Sequence, residues 1–319
     1  MRAVAVSAPH RAPVLAELPK PVPGQGELRV RVEYAALNPG DWQAADAVGN
    51  GPETVPLPLV VGVDFAGRVD MIGPGDNRFR VGDRVVGRVC EPGPGRGAYA
   101  EYVAVHEDSP VTLVPRRLSL RSAAALPTAG TAAAQLLDAS GARNGDSLLI
   151  IGAAGGVGTF LTQLAAARGM RVVAAVRGNA RLGMTALGAA LTVDTSAGPE
   201  TLGPAVRGAH PDGVDVLVDL VAADPTEFGV HVSLVRDGGT ALSTRGAASA
   251  AGPAAEGPRV VRTDFRLAPG RDSLERLAAA VADGALRVLV DAELPLEKAP
   301  DALDRNRAGG ARGKTLFAP

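Results

Sequence analysis

The chain has a single cysteine, Cys90, among 319 residues, so no intrachain disulfide can form and nothing asks for an oxidising compartment. Aromatic residues make up only 3%, too few to supply the stacking platforms that single-stranded nucleic acid needs. A formal net charge of −1 gives no basic field toward nucleic acid or a membrane surface. No apolar run approaches the ~18 residues of a membrane span. The opening Met1–Ser7 is a short apolar alternation that Pro9 ends, a first strand and not a secretory signal. The expected location is the cytoplasm, with neither nucleic acid nor membrane as a partner.

The hydrophobic content of 46% is that of an ordinary globular protein. The length suits two domains of ~100–200 residues each. With so few aromatics, the core must be built mainly from Val, Leu and Ala.

The first third is strand-like and rich in turns. Leu28, Val30, Val32 and Tyr34 alternate with Arg29, Arg31 and Glu33, the period of a half-buried strand. Further short strands are predicted within Leu59–Val69, Arg84–Val89 and Tyr99–Val105, separated by Gly73-Pro-Gly, Gly82-Asp and Pro92–Gly97. No convincing helical period precedes about Arg121. Beyond it the pattern changes to a helix over Thr131–Ala139, a strand over Ser147–Ile151, a helix through Val157–Ala165 and a strand over Arg171–Val176. Val214–Leu220, Gly239–Ser243 and Val260–Thr263 continue the strands, and Ala247–Gly257 reads as a loop. Strands alternating with helices predict βαβ units around a parallel sheet. The last part adds a helix over Asp272–Ala282, a strand over Val288–Leu294, a helix over Lys298–Asn306 and the closing Lys314-Thr-Leu-Phe.

The most informative motif is Gly152-Ala153-Ala154-Gly155-Gly156-Val157-Gly158, set between the apolar strand Ser147–Ile151 and a helix. Ala153, Gly155 and Gly158 match the G/A-x-G-x-x-G spacing in the strand–turn–helix context the fingerprint requires. The first small residue allows a tight turn, Gly155 lets backbone approach a pyrophosphate, and Gly158 lets helix pack on strand. The helix N-terminus then presents N–H groups and a positive dipole end to the phosphates. An NAD site usually has Asp or Glu ~20 residues on, at the end of the second strand, for the ribose 2′-hydroxyl. Here that position reads Val176-Arg177-Gly178-Asn179-Ala180-Arg181, with no acid. Arg177 and Arg181 suit a 2′-phosphate, and Asn179 adds a hydrogen-bonding group. NADPH is therefore the expected cofactor. The plainer reading, a ligand-free glycine turn with solvated arginines, is set aside because strand, turn and helix follow in the order the motif needs.

Several stretches together carry a resemblance: Asn38-Pro-Gly-Asp41, Gly62-Val-Asp-Phe-Ala-Gly67, Val81-Gly-Asp-Arg-Val-Val-Gly87, Gly97-Ala-Tyr-Ala-Glu-Tyr102, Leu126-Pro-Thr-Ala-Gly-Thr-Ala132, Ala153–Gly158, Leu187-Gly-Ala189 and Ala311-Arg-Gly-Lys314. In this order they resemble the zinc-independent quinone oxidoreductases, the zeta-crystallin-like group of the medium-chain dehydrogenase/reductase superfamily, over nearly the whole chain. The resemblance implies an α/β protein with a GroES-like, mostly-β catalytic domain (residues 1–121) and a Rossmann domain with a doubly wound parallel sheet (122–266). A C-terminal segment (267–319) would return to the catalytic domain, with the active cleft between the two domains. It also implies a homodimer joined at the Rossmann sheet edge near Val260–Thr263.

Zinc divides this superfamily. In the alcohol dehydrogenase branch cysteine and histidine hold the metal; this chain has Asn38 and Val63 at the corresponding positions, and Cys90 alone excludes a four-cysteine site. His10, His106, His210 and His231 show no ligand spacing and read as surface or structural. No metal is expected. Without a Lewis acid the acceptor must be activated already, which points to quinones or α,β-unsaturated carbonyls.

By resemblance, Asn38 and Asp41 lie near nicotinamide and ribose, and Thr128 and Thr131, in a Pro-Thr-Ala-Gly-Thr turn, face the cofactor. Asn38 and Thr131 are the catalytic candidates. Leu220 and Val221 sit on the adenine side; Ser243, Thr244, Arg245, Phe265 and Leu267 flank nicotinamide; Lys314 lies in the terminal motif near the cofactor. Each also has a plain structural reading as turn, cap or core. Relatives that reduce enoyl thioesters often place a tyrosine after the Asn-Pro motif. Here Trp42 and Gln43–Pro56 contain none, Tyr99 and Tyr102 read as structural, and Tyr34 is a weak candidate. No general acid is named, and Trp42 is the candidate substrate-pocket residue. Cys90 reads as a small buried hydrophobe, with nothing cationic beyond Arg88 to suggest a lowered pKa. Two alternatives stay open: a reductase or dehydrogenase tailoring a pathway intermediate such as a polyketide, and a protein that binds the cofactor without turnover.

Overall fold

A computed structural model describes residues 1–50, 56–91, 93, 96–250 and 259–319. The chain divides into two compact units, Met1–Thr131 with Pro269–Pro319, and Ala132–Ala268. Among the described residues the first unit contains strands β1 (Arg2–Val6), β2 (Val14–Glu17), β3 (Glu27–Ala36), β4 (Leu59–Val60), β5 (Asp64–Ile72), β6 (Arg84–Arg88), β7 (Tyr102–His106) and β8 (Val111–Leu113). Helices α1 (Pro39–Ala47) and α2 (Leu120–Ala124) belong to it, and α3 (Pro127–Ala139) starts in it.

The alternation at Leu28–Val32 does what the sequence suggests. In β3, Leu28 and Val30 are fully buried while Arg31 is exposed. Strand β3 pairs antiparallel with both β5 and β7, and β5 pairs with β6. The inward faces form a core around Leu28, Phe65, Tyr99 and Phe317, with Tyr99 and Phe317 edge to face at 4.7 Å.

Helix α1 is a structural element the hydrophobic period does not announce. Only Asp41 and Ala45 are buried along it. Its start is defined instead by Asn38 at the N-cap and Pro39 in the first turn, with the Asp41 carboxylate accepting from the Asn38 N–H at 2.8 Å. The Pro-Thr-Ala-Gly-Thr segment is likewise helical, the opening turns of α3, because Pro127 sits where a missing N–H costs nothing.

The second unit carries β9 (Ser147–Ile151), α4 (Gly156–Ala167), β10 (Arg171–Val176), α5 (Arg181–Ala186), β11 (Leu191–Asp194), α6 (Leu202–Ala209), β12 (Val214–Asp219), α7 (Pro225–Val232), β13 (Val235–Ser243), α8 (Ala247–Ala250) and β14 (Val261–Asp264). Its sheet has the order β11-β10-β9-β12-β13-β14, and every pairing is parallel. The chain runs outward from β9 in both directions, so the order reverses beside β9, the place where such sheets bind ligands. All five residues of β9 are buried, as a central parallel strand with both faces covered must be. Asp215 ties its start to β12: the Ser147 N–H and hydroxyl donate to Asp215 at 2.7 and 2.6 Å.

The expected loop at Ala247–Gly257 begins as helix α8. Asp264 explains it, since its carboxylate accepts the N–H groups of Ala248 and Ser249 and so caps the turn from a distant strand. Residues 251–257 of that stretch lie outside the described residues, as do 51–55 of the expected substrate loop Asp46–Pro58.

The C-terminal segment returns with α9 (Arg271–Ala282), β15 (Val290–Pro295), α10 (Ala299–Arg307) and β16 (Lys314–Ala318). Strand β16 joins the sheet of the first unit through Leu316 opposite Ala36 and Phe317 opposite Ala35. Among the described residues no helix is long and apolar enough to cross a membrane.

Candidate functional site

In the second unit the glycine motif occupies the turn from β9 into α4. Gly152 has φ +80°, a backbone that an L side chain rarely adopts. A Cβ on Gly158 would lie 2.6 Å from the Ala153 Cα and from the carbonyl oxygens of Gly152 and Ala153. Only glycine allows α4 to start this close to the strand. Gly155 is different. Its backbone is extended, and its Cβ would meet only the Gly152 oxygen at 3.3 Å. The fold therefore tolerates a side chain at Gly155 far better than at Gly158. On the outer side of the turn, first-turn N–H groups without intrahelical acceptors can meet an anion. This is a cradle that a Cβ would fill, and the turn fits a dinucleotide pyrophosphate.

Arg177 follows directly on β10, is exposed, and has no ion-pair partner among the described residues. The acid nearest in the sheet is Asp194, which ends β11 opposite Val176 and whose Oδ1 accepts the Gly178 N–H at 2.9 Å. Asn179 and Arg181 continue the segment, but their side chains lie outside the described residues.

The other residues expected along the dinucleotide have defined places. Leu220 is half-buried and Val221 is 41% exposed. Ser243 is wholly buried, and its hydroxyl accepts the N–H groups of Arg245 and Ala247, both at 3.1 Å. Thr244 donates its N–H to the Asp219 carbonyl at 3.1 Å. The Thr244 hydroxyl donates to the same carbonyl at 3.3 Å, so the Ser243 and Thr244 side chains both hold the strand-end backbone together. Arg245 is exposed, and Phe265 and Leu267 are half-buried.

In the first unit the Asn-Pro motif is part of a buried polar cluster. Asn38 donates its side-chain amide to Asp64 Oδ2 at 2.9 Å and to the Ala36 carbonyl at 3.3 Å. Its Oδ1 accepts Lys314 Nζ at 2.6 Å. Lys314, only 3% exposed, also donates to the Leu37 carbonyl at 2.7 Å and lies 4.0 Å from Asp64 Oδ2. Thr128 donates its hydroxyl to Asp64 Oδ1 at 2.7 Å and its N–H to Oδ2 at 3.1 Å. Thr131 is buried beside them in sequence. The Asn38 amide is thus fully engaged by protein groups, which makes it a positioning group for the 36–41 backbone.

Asp41 accepts Tyr99 Oη at 2.7 Å on Oδ2, while its buried Oδ1 has no hydrogen-bond partner. Burial, reinforced by the Asp64 charge, outweighs the Tyr99 and Asn38 hydrogen bonds and lifts its pKa to about 7. The same burial lowers the Lys314 pKa despite the two carboxylates, and raises that of Tyr99 well above the usual phenol value.

Trp42 is half-buried and donates Nε1 to Asn306 Oδ1 at 3.1 Å, with the Arg307 guanidinium 5.4 Å from its ring centre. It lines a cavity of about 500 Å³ together with His10, Asp46, Leu303 and Asp304.

Asp64 is the residue of this cluster that the sequence did not single out; an acid in the apolar stretch Gly62–Gly67 is the signal for it, since an acid there must be paired when buried. Tyr99 and His231, expected as structural, are both buried and hydrogen-bonded, Tyr99 to Asp41 and His231 to Asp219, with Nδ1 2.7 Å from Oδ2. Cys90, expected as a small buried hydrophobe, is exposed.

Residues 24–116 match the alcohol dehydrogenase GroES-like domain, and residues 187–316 match the zinc-binding dehydrogenase family. The 2-methylene-furan-3-one reductase of Solanum lycopersicum is 32% identical, the match covering 92% of this chain and 72% of the relative. The chloroplastic quinone-oxidoreductase homolog of Spinacia oleracea is 30% identical over 95% of this chain and 93% of its own length. A mycobacterial protein solved in complex with NADPH superposes with a TM-score of 0.84 at 28% identity, covering 100% of both chains. One family description names zinc. Zinc needs thiolate, imidazole or carboxylate donors converging at about 2.0–2.3 Å. Of Asn38, Asp64, Thr128 and Lys314 only Asp64 offers one, and the Lys314 ammonium already supplies its cation. These residues do not fit the metal.

Proposed function

We propose, since the chain belongs to the quinone oxidoreductase group of the medium-chain dehydrogenase/reductase superfamily, that it reduces quinones or α,β-unsaturated carbonyls with NADPH. The single observation that carries this reading is the turn at Gly152–Gly158, where a Cβ on Gly155 would meet only the Gly152 oxygen, at 3.3 Å, and the backbone is open to a pyrophosphate. Bound NADPH supplies a hydride to the acceptor. The α4 N-terminus and the Gly155 backbone hold the pyrophosphate. Arg177 pairs with the 2′-phosphate, with Asn179 and Arg181 as its assigned companions from the sequence.

The acceptor class follows from the first unit. Its buried ammonium, Lys314, is locked onto Asn38 and Leu37, and among the described residues no cluster of metal-binding side chains surrounds it. A conjugated acceptor delocalises the arriving charge itself, so it needs positioning more than activation. The exocyclic enone in the name of the Solanum lycopersicum relative belongs to this chemical class. We assign Asn38, Asp41, Thr128 and Lys314 to holding the 36–41 backbone and the start of α3, with Thr131 as the remaining candidate for contact with the reacting molecules. Trp42, opening on its cavity, is assigned to the acceptor. Water supplies the proton. The exposed edge strand β14, where Val261 is 61% exposed, is the proposed contact with a second copy of the chain.

The test is NADPH consumption with quinones, enones, enoyl thioesters and simple ketones, and NADP⁺ reduction with simple alcohols. Turnover confined to the first two classes is expected. Turnover of simple alcohols, or of NADPH with enoyl thioesters alone, would replace this reading.

A further inference from the structure

We infer that His231 is a positioning residue for the dinucleotide site, acting through Asp219; this rests on the NADPH reading above. Asp219 is the last residue of β12 and is wholly buried. Its Oδ1 accepts the N–H groups of Val221 and Ala222, both at 2.9 Å. Its Oδ2 meets His231 Nδ1 at 2.7 Å, its one side-chain hydrogen-bond contact among the described residues. An ionised carboxylate can only accept, so Nδ1 carries the hydrogen between them. His231 stands in the last turn of α7, where the helix end favours a donor of positive charge.

The consequence reaches the glycine turn. Leu220 donates its N–H to the Ile151 carbonyl at 3.2 Å. Val221 Cγ2 lies 2.5 Å from where a Cβ on Gly152 would stand. The segment 220–222 therefore forms a wall of the Gly152 turn, and its shape is set by the two N–H groups that Asp219 holds. The Asp219 carbonyl also accepts Thr244, which brings the end of β13 into the same assembly. Without His231 the buried carboxylate loses its partner and must turn toward another donor, loosening its grip on Val221 and Ala222. The wall then no longer sits fixed against the turn.

The test compares His231→Leu with His231→Asn in the full chain, because asparagine places an N–H donor close to the position of Nδ1. NADPH affinity is measured by calorimetry, KM and kcat with a simple quinone, and Tm by circular dichroism. We expect His231→Leu to raise the NADPH Kd and KM about tenfold, the scale of one buried hydrogen bond left unmade, with kcat at saturating NADPH little changed. His231→Asn should restore most of the affinity. A folded leucine variant with the wild-type Kd overturns the inference, and so does an asparagine variant as weak as the leucine one. Should His231→Leu fail to fold, Val221→Ala carries the test: its side chain is partly exposed, and an unchanged NADPH Kd there overturns the proposed wall. A wild-type chain that does not bind NADPH overturns the cofactor reading itself, an outcome separate from equal binding by wild type and variants.

Discussion

Tyr99 donates its hydroxyl to Asp41 at 2.7 Å in a place where both side chains are buried. The cluster around them holds two carboxylates, Asp41 and Asp64, and one ammonium, Lys314, which lies by Asp64. One negative charge is in excess, and the atom left without a partner is Asp41 Oδ1. The proton that balances the cluster belongs on Asp41.

That assignment has a definite pH signature. The Asp41 pKa rises from 3.8 to about 7 on folding, so the folded chain binds the extra proton. The stability this contributes is complete below the unfolded pKa and is lost as pH rises through about 7. Across pH 5 to 8, wild type should lose Tm relative to Asp41→Asn, which has no proton to release. Parallel Tm curves for the two proteins would contradict the assignment.

Lys314 is the counter-charge of the cluster. Lys314→Met leaves the Asp64 charge, the Asn38 oxygen and the Leu37 carbonyl without it, a loss of about 3–5 kcal/mol for breaking a buried pair. Urea unfolding should show a clearly lower midpoint. Adding Asp64→Asn should recover part of that loss, because the stranded charge is gone. Additive losses in the double variant would argue against the pairing.

Two glycines of one turn should behave differently. Gly158→Ala drives a Cβ into backbone at 2.6 Å, and should lower stability by about 1–3 kcal/mol. Gly155→Ala meets one oxygen at 3.3 Å, so the chain should fold with nearly the wild-type Tm. Its NADPH affinity should nevertheless fall about tenfold or more, since the methyl stands where the pyrophosphate approaches. Thermal melts and calorimetric titration separate the two effects. An unchanged NADPH Kd for Gly155→Ala would remove the cradle from the account.

Arg177 should determine the choice between cofactors. Arg177→Ala removes a charge-assisted contact to the 2′-phosphate and should weaken NADPH by about tenfold, leaving NADH use nearly unaltered. The ratio of kcat/KM for the two cofactors reads this directly. Equal use of both by the wild-type chain would sink the assignment.

The sequence revealed most where a single local pattern decides the outcome. The strand at Ser147–Ile151 and the glycine turn after it could be read directly, since each depends on neighbours in the chain; Asp194 beside the end of β10 could not, since it comes from β11. Helix α1 could not, because its boundaries rest on Asn38, Pro39 and Asp41 and not on an apolar stripe. Helix α8 was hidden for another reason: its cap is Asp264, 16 residues from Ala248 along the chain. The buried cluster shows the same limit. Asn38 and Lys314 were each visible as motif residues, but their bond spans 276 positions. Only the fold shows that the Asn38 amide is fully engaged.

The most direct measurement of the central claim uses NADPH deuterated on the transferring face of the nicotinamide and a vinyl ketone as acceptor, after dialysis of the protein against a chelator. The account predicts one deuterium on the β-carbon of a saturated ketone, one NADP⁺ formed per product, and a rate unchanged by the chelator. Deuterium on the carbinol carbon of an unsaturated alcohol, or activity that vanishes with the chelator and returns with zinc, would contradict it.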